Sequence, residues 1–200
     1  MADLRIDAQR TSLTMNQVSN IRQQIADHWQ ARLPPMGALF ANDDAFAAFY
    51  TGKYLIQDTA ESISAHMSAG FSKNPYAAYI EFWGVMQALI IQQDAIVELH
   101  KSICGIGPVL AKPSPWYALR ELRNRCAGHP ANKSVNGSTL RSFMGRTFGC
   151  YEEIVYEQYD AATAKTTHPK INLRKLIDEY DGQAASILSL CLDHLKQKCP

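Results

Sequence analysis

Apolar residues recur at three- and four-residue steps in five stretches of this chain, separated by short runs rich in proline, glycine and asparagine. That period marks helices with one buried face. The first stretch runs from Asn16 to about Arg32, with Val18, Ile21, Ile25, Trp29 and Leu33 on one side, and Pro34-Pro35-Met36-Gly37 ends it. The second opens at Asn42-Asp43-Asp44, a capping asparagine followed by two carboxylates, and extends to about Ala69. Phe46, Phe49, Ile56, Ala60, Ile63 and Met67 face inward, and Gly52 is a weak point within it. The third and longest starts at Asn74-Pro75 and closes at Gly105, lined by Tyr79, Phe82, Trp83, Met86, Leu89, Ile90, Ile96 and Val97. A short fourth helix begins at Ser114-Pro115 and carries Trp116, Leu119, Leu122 and Cys126 on its apolar face. The last is capped by Asn172 and runs to about Lys196, with Leu173, Ile177, Tyr180, Ala184, Leu188, Cys191 and Leu195 inward. Asp181-Gly182 interrupts it, and His194 falls on its exposed side, where no role is assigned to it.

Between the fourth and fifth helices the period changes. Asn136-Gly137 is a strong turn signal, and Thr139 to Phe148 and Glu153 to Tyr159 are rich in aromatic and β-branched residues, which suits a hairpin or irregular flap. Ala161 to Pro169 reads as a loop. The fold class predicted is mainly α: an antiparallel bundle of about five helices with a small β element after the fourth. Residues 1–37 form an arm and helix packing on the bundle, with Met1 to Leu13 lacking any period, and residues 38–200 form the main domain.

Composition alters this picture only locally. The net charge of +1 says nothing about partners, yet residues 111 to 150 hold seven basic residues and one acidic one, leaving the remainder net acidic. Lys112, Arg120, Arg123, Arg125, Lys133, Arg141 and Arg146 thus surround the fourth helix, as an anionic ligand would require. Five cysteines without a Cys-x-x-Cys pair suggest free thiols in a reducing cytoplasm, with no metal centre, no disulfide framework and no cofactor. Met1 to Arg10 has no apolar core of a signal peptide, and the uncharged run from Phe82 to Gln93 is too short to span a bilayer, so no membrane role is expected. There is no phosphate loop at Gly105-Ile106-Gly107-Pro108, no nucleophile elbow, no His-Glu-x-x-His helix and no dinucleotide fingerprint.

The candidate chemistry lies in Arg123-Asn124-Arg125-Cys126-Ala127-Gly128-His129. On a continuous helix, Arg123 and His129 would point about 120° apart. They converge if the helix ends between them, and Gly128, in a left-handed cap followed by Pro130, is expected to end it. A histidine able to move a proton and a guanidinium able to hold charge on phosphate oxygens suit phosphodiester cleavage. Gln87, Asp94 and Lys101 share a face of the third helix, and Asp94 is the candidate there for positioning Arg123 or His129. Gln92 and Gln93 are read with them as a polar edge. Arg120, Arg125, Lys133, Arg141 and Arg146 are candidates for tracking an RNA backbone. Tyr151, Tyr156 and Tyr159 either stack bases or serve as ordinary core or surface aromatics.

The same seven residues resemble the Arg, polar residue, four-residue spacer, His signature of HEPN domains. The resemblance implies a helical domain and a metal-independent RNA endonuclease of the kind found in toxin–antitoxin, phage-defence and RNA-processing systems. It implies that His129 carries the proton, Arg123 binds the scissile phosphate and Asn124 orients one of them. It also implies a homodimer with a composite cleft, and a protein partner such as an antitoxin. The alternative is a non-catalytic HEPN-like adaptor that binds RNA, a nucleotide or a protein.

Overall fold

The computed structural model describes residues 16–32 and 39–200. The expected arm at Met1 to Leu13 and the break at Pro34-Pro35-Met36-Gly37 lie outside the described residues. Five helices are described: α1 (Asn16–Arg32), α2 (Asp43–Ala69), α3 (Pro75–Cys104), α4 (Pro115–Arg123) and α5 (Leu173–Lys198). Their ends follow the predicted caps. The Asn42 side chain accepts from the Ala45 amide at 2.9 Å, Asn74 from Tyr76 and Ala77, and Asn172 from Lys175. Gly105 closes α3 in the left-handed conformation.

Helices α2 and α3 pack along their length, and α1, α3 and α4 pack against α5. Gly52 of α2 is a contact rather than a weak point. A β-carbon there would lie 3.1 Å from the Ala95 carbonyl and 3.3 Å from Leu99 Cβ, so the missing side chain lets α2 settle against α3. One core joins Ile25 of α1, Phe49 and Ile56 of α2, Phe82 and Leu89 of α3, Trp116 of α4 and Leu188 of α5. It rests mainly on burial of apolar surface, about 25 cal/mol per Å² removed from water.

Two polar features of this core depart from the sequence reading. Gln92 and Gln93 do not face water but are fully buried. Gln92 donates to Thr59 Oγ1 at 3.2 Å, and Gln93 donates to the Trp116 carbonyl at 3.1 Å, tying α3 to α2 and α4. Asp181-Gly182 does not break α5. Buried Asp181 instead accepts from the Gln17 and Val18 amides at 3.1 and 3.0 Å, satisfying two of the donors that a helix N-terminus leaves free.

The β region is larger than one hairpin. Strands β1 (Lys133–Val135), β2 (Ser138–Phe143), β4 (Glu157–Asp160) and β5 (Lys165–Thr167) form an antiparallel sheet in the order β1-β2-β4-β5. Strands β3 (Ile154–Val155) and β6 (Lys170–Ile171) form a second pair. The β1–β2 turn is Asn136-Gly137, both with positive φ, as a tight hairpin requires. The expected loop over 161–169 therefore contains a strand, because Lys165–Thr167 pairs with β4. Tyr151 and Tyr156 are core residues. Tyr151 stacks on Phe71 at 4.6 Å and its hydroxyl meets His66 Nδ1 at 2.7 Å, which removes it from base stacking.

Candidate functional site

Trp116, Leu119 and Leu122 anchor α4 in the core and leave its arginines at or near the surface. Ser114 occupies the capping position, but its hydroxyl makes no capping bond. The Gln183 side chain of α5 accepts from the Trp116 amide at 3.0 Å instead.

At the other end, the helix does not stop at a left-handed glycine. It widens into a π-helical turn over Asn124–Gly128, with the His129 amide donating to the Asn124 carbonyl at 2.8 Å. A hydrogen bond spanning five residues rather than four brings position 128 back beneath position 123. The Arg123 side chain lies against it: a β-carbon on Gly128 would be 2.6 Å from Nη1. Gly128 therefore matters for the space it leaves. The wider turn sets the Arg123 guanidinium against Gly128, the residue immediately before His129. No hydrogen bond joins the two side chains among the described residues, and His129 is exposed.

Arg123 is held by amides. It donates to Asn124 Oδ1 and to Gln87 Oε1 of α3, each at 3.2 Å. Neither acceptor carries charge, and among the described residues no carboxylate lies within salt-bridge distance of Arg123. The cation is thus oriented without being neutralised, which leaves its charge available to an anion.

The other basic candidates divide. Arg120 is bound by Asp94, so Asp94 orients a neighbour of the motif rather than Arg123 or His129. Arg125 and Lys133 both approach Glu121 at 3.9 Å, and Arg125 also donates to Gln158 of β4 at 3.3 Å. Arg141 and Arg146 have no carboxylate partner among the described residues. Arg146 sits over the Tyr76 ring near the start of α3. Tyr76 lies eleven residues before Gln87, which is about 16 Å along the helix.

A groove of about 390 Å³ adjoins the motif. Its walls include Tyr79 and Trp83 of α3, Cys126 and Pro130 of the motif, Arg141 of β2 and Tyr159 of β4. Arg141 and Tyr159 are cross-strand partners. Periodicity places Trp83 on the core face, but it is 42% exposed and donates to the Cys126 carbonyl at 3.3 Å. Burial pushes the Cys126 thiol up to about 12, so it is not an active nucleophile at neutral pH. The groove was not legible in the sequence, since it arises where α3, the π turn and the sheet meet. The one cluster of His and Cys with metal-ligand geometry among the described residues lies elsewhere, at the carboxyl end of α3.

No family model, curated protein or solved structure matches the chain. No helix among the described residues is long and apolar enough to cross a membrane.

Proposed function

We propose that this chain is a HEPN-like RNA endonuclease, a cytoplasmic toxin or defence protein acting as a homodimer. The observation supporting this most directly is the Arg123 guanidinium, fixed by two neutral amides, uncompensated by any carboxylate among the described residues and lying on the residue before exposed His129. In the proposed reaction the ribose 2′-oxygen attacks the adjacent phosphorus and the bond to the 5′-oxygen breaks. The products are a 2′,3′-cyclic phosphate and a 5′-hydroxyl. His129 carries the proton, Arg123 takes the charge growing on the phosphate oxygens, and Asn124 and Gln87 hold Arg123. The groove walled by Trp83, Tyr79 and Tyr159 gives bases an aromatic surface, with Arg141 beside it for the backbone. Tyr76, Ile80 and Trp83, exposed along α3, supply apolar surface for a second subunit or a protein partner.

The test is incubation of purified protein with RNA in buffer free of added divalent metal, with and without EDTA. Cleavage to cyclic-phosphate ends, lost in His129→Ala and in Arg123→Ala, supports the proposal. Equal cleavage by all three proteins overturns it. Salt-dependent RNA binding without cleavage under any condition would instead favour a binding adaptor built on the same groove.

A further inference from the structure

The carboxyl ends of α3 and α5 bring His100 and Cys104 of one helix together with Cys191 of the other. His100 and Cys104 are one helical turn apart on α3, and Cys191 and His194 are nearly one turn apart on α5. Donor atoms of His100, Cys104 and Cys191 all lie within 4.8 Å of one another. The Cys104 and Cys191 thiols thus face each other across the two helices. His100 and Cys191 are buried, whereas Cys104 is only partly so, which gives the cluster an edge toward solvent.

His100 is arranged as a metal ligand is. His100 Nδ1 is 2.7 Å from the Ile106 carbonyl. A carbonyl only accepts, so Nδ1 carries the proton and Nε2 keeps its lone pair. A ligating histidine ordinarily donates its other nitrogen to such a carbonyl, fixing both tautomer and ring. His194, expected on the exposed face, instead has its Nε2 shielded from solvent and without a hydrogen-bond partner. A buried imidazole nitrogen without a partner is costly unless something binds it.

We propose that His100, Cys104, Cys191 and His194 form a Zn²⁺ site that staples α3 to α5. A Cys₂His₂ donor set suits zinc, a borderline-soft ion that takes tetrahedral sulfur and nitrogen ligands. At ordinary zinc bond lengths, tetrahedral ligand atoms stand about 3.3–3.8 Å apart, so movements of about 1 Å close the three contacting donors on one ion. Binding forms two Zn–S and two Zn–N bonds. The two thiols release two protons, and both imidazoles bind neutral. The site lies about 20 Å along α3 from Gln87, so it holds the bundle together and takes no part in the chemistry proposed at Arg123.

The test uses the full-length protein, purified reduced, stripped of metal and titrated with Co²⁺. One equivalent should bind, with tetrahedral d–d bands and a thiolate-to-cobalt charge-transfer band. Binding of either ion to the metal-free protein should release two protons, Zn²⁺ should then displace Co²⁺ with no further release, and Cys150→Ser, at an exposed thiol, should leave the bands unchanged. Cys104→Ser and Cys191→Ser should each weaken binding at least 100-fold, and His194→Ala should shift the d–d bands and weaken binding about tenfold. Absence of the charge-transfer band in the wild-type protein overturns the site, whatever the variants do. So does a band that persists in the Cys104→Ser/Cys191→Ser double variant. An unchanged spectrum in His194→Ala overturns the fourth ligand. None of these readouts depends on RNA cleavage.

Discussion

Along α3, two polar stations handle their side chains in opposite ways. At Gln87 the helix presents an amide to water, and that amide holds a cation whose charge is left unspent. At His100 and Cys104, four turns further on, imidazole and thiol groups turn inward against α5. The first station suits a large, transient, anionic guest, because nothing has to be removed before the guest arrives. The second suits a small permanent one, because its donors are already shielded and already close. A helix of thirty residues can thus carry a working surface in its middle and a fastening at its end.

The contrast breaks most visibly if the open station is emptied. His129→Ala or Arg123→Ala should lower RNA cleavage by about 10²–10⁴-fold, read as the initial rate on a labelled oligonucleotide, with little change in melting temperature. Gly128→Ala is a finer probe. The added methyl meets only the far end of a flexible arginine, and alanine is favoured in helices by about 1 kcal/mol, so the protein should melt no earlier than wild type. Displacing the guanidinium should still cost about 10–100-fold in rate. Gly84→Ala, in mid-helix where nothing lies within 4 Å, is the matched control and should raise the melting temperature by a few degrees while leaving cleavage as it was. Gln87→Ala removes one of two amides from Arg123. It should cost about tenfold, the equivalent of one hydrogen bond to a charged group in an exposed setting.

The smallest effect concerns a closed polar group. Burial raises the Asp181 carboxyl above its ordinary range, outweighing the amides of Val18 and Gln17 that favour its charged form. The folded chain therefore binds this proton more tightly than the unfolded one. Its contribution to stability is full below the unfolded value, about 3.9, and is lost as pH rises through the folded value. Urea midpoints measured from pH 3.5 upward should carry this decline, and Asp181→Asn should flatten it.

How much of this was legible in the chain depends on the range of the interaction. Caps and stripes are local, so Asn42, Asn74 and Asn172 placed three helix starts, and the apolar faces of α2, α3 and α5 followed from spacing. Arg123 and His129 were legible as a pair because a short motif holds them. The π turn between them was not, since a π turn and a left-handed cap both look, in sequence, like a helix running into a glycine. Gln92 and Gln93 were misplaced because an amide that finds a distant partner looks, in sequence, like one that faces water. Asp181 looked like a helix breaker because its partners lie more than 160 residues away. The His100–Cys104–Cys191 cluster escaped the cysteine spacing rules because its donors are shared between helices some 90 residues apart in the chain.

The π turn also separates two kinds of tolerance to insertion and deletion. Its wide loop holds one residue more than an ordinary helical turn needs. Excising a single residue between Asn124 and Gly128 would let the segment tighten into regular α-helix, and because five α steps turn through nearly the same angle as six wider π steps, His129 would keep its bearing on the axis. Trp116, Leu119 and Leu122 would keep their places in the core, because they precede the cut. One codon is thus dispensable in the turn, whereas the same loss inside α4 would rotate Trp116 away from Leu122 by about 100°.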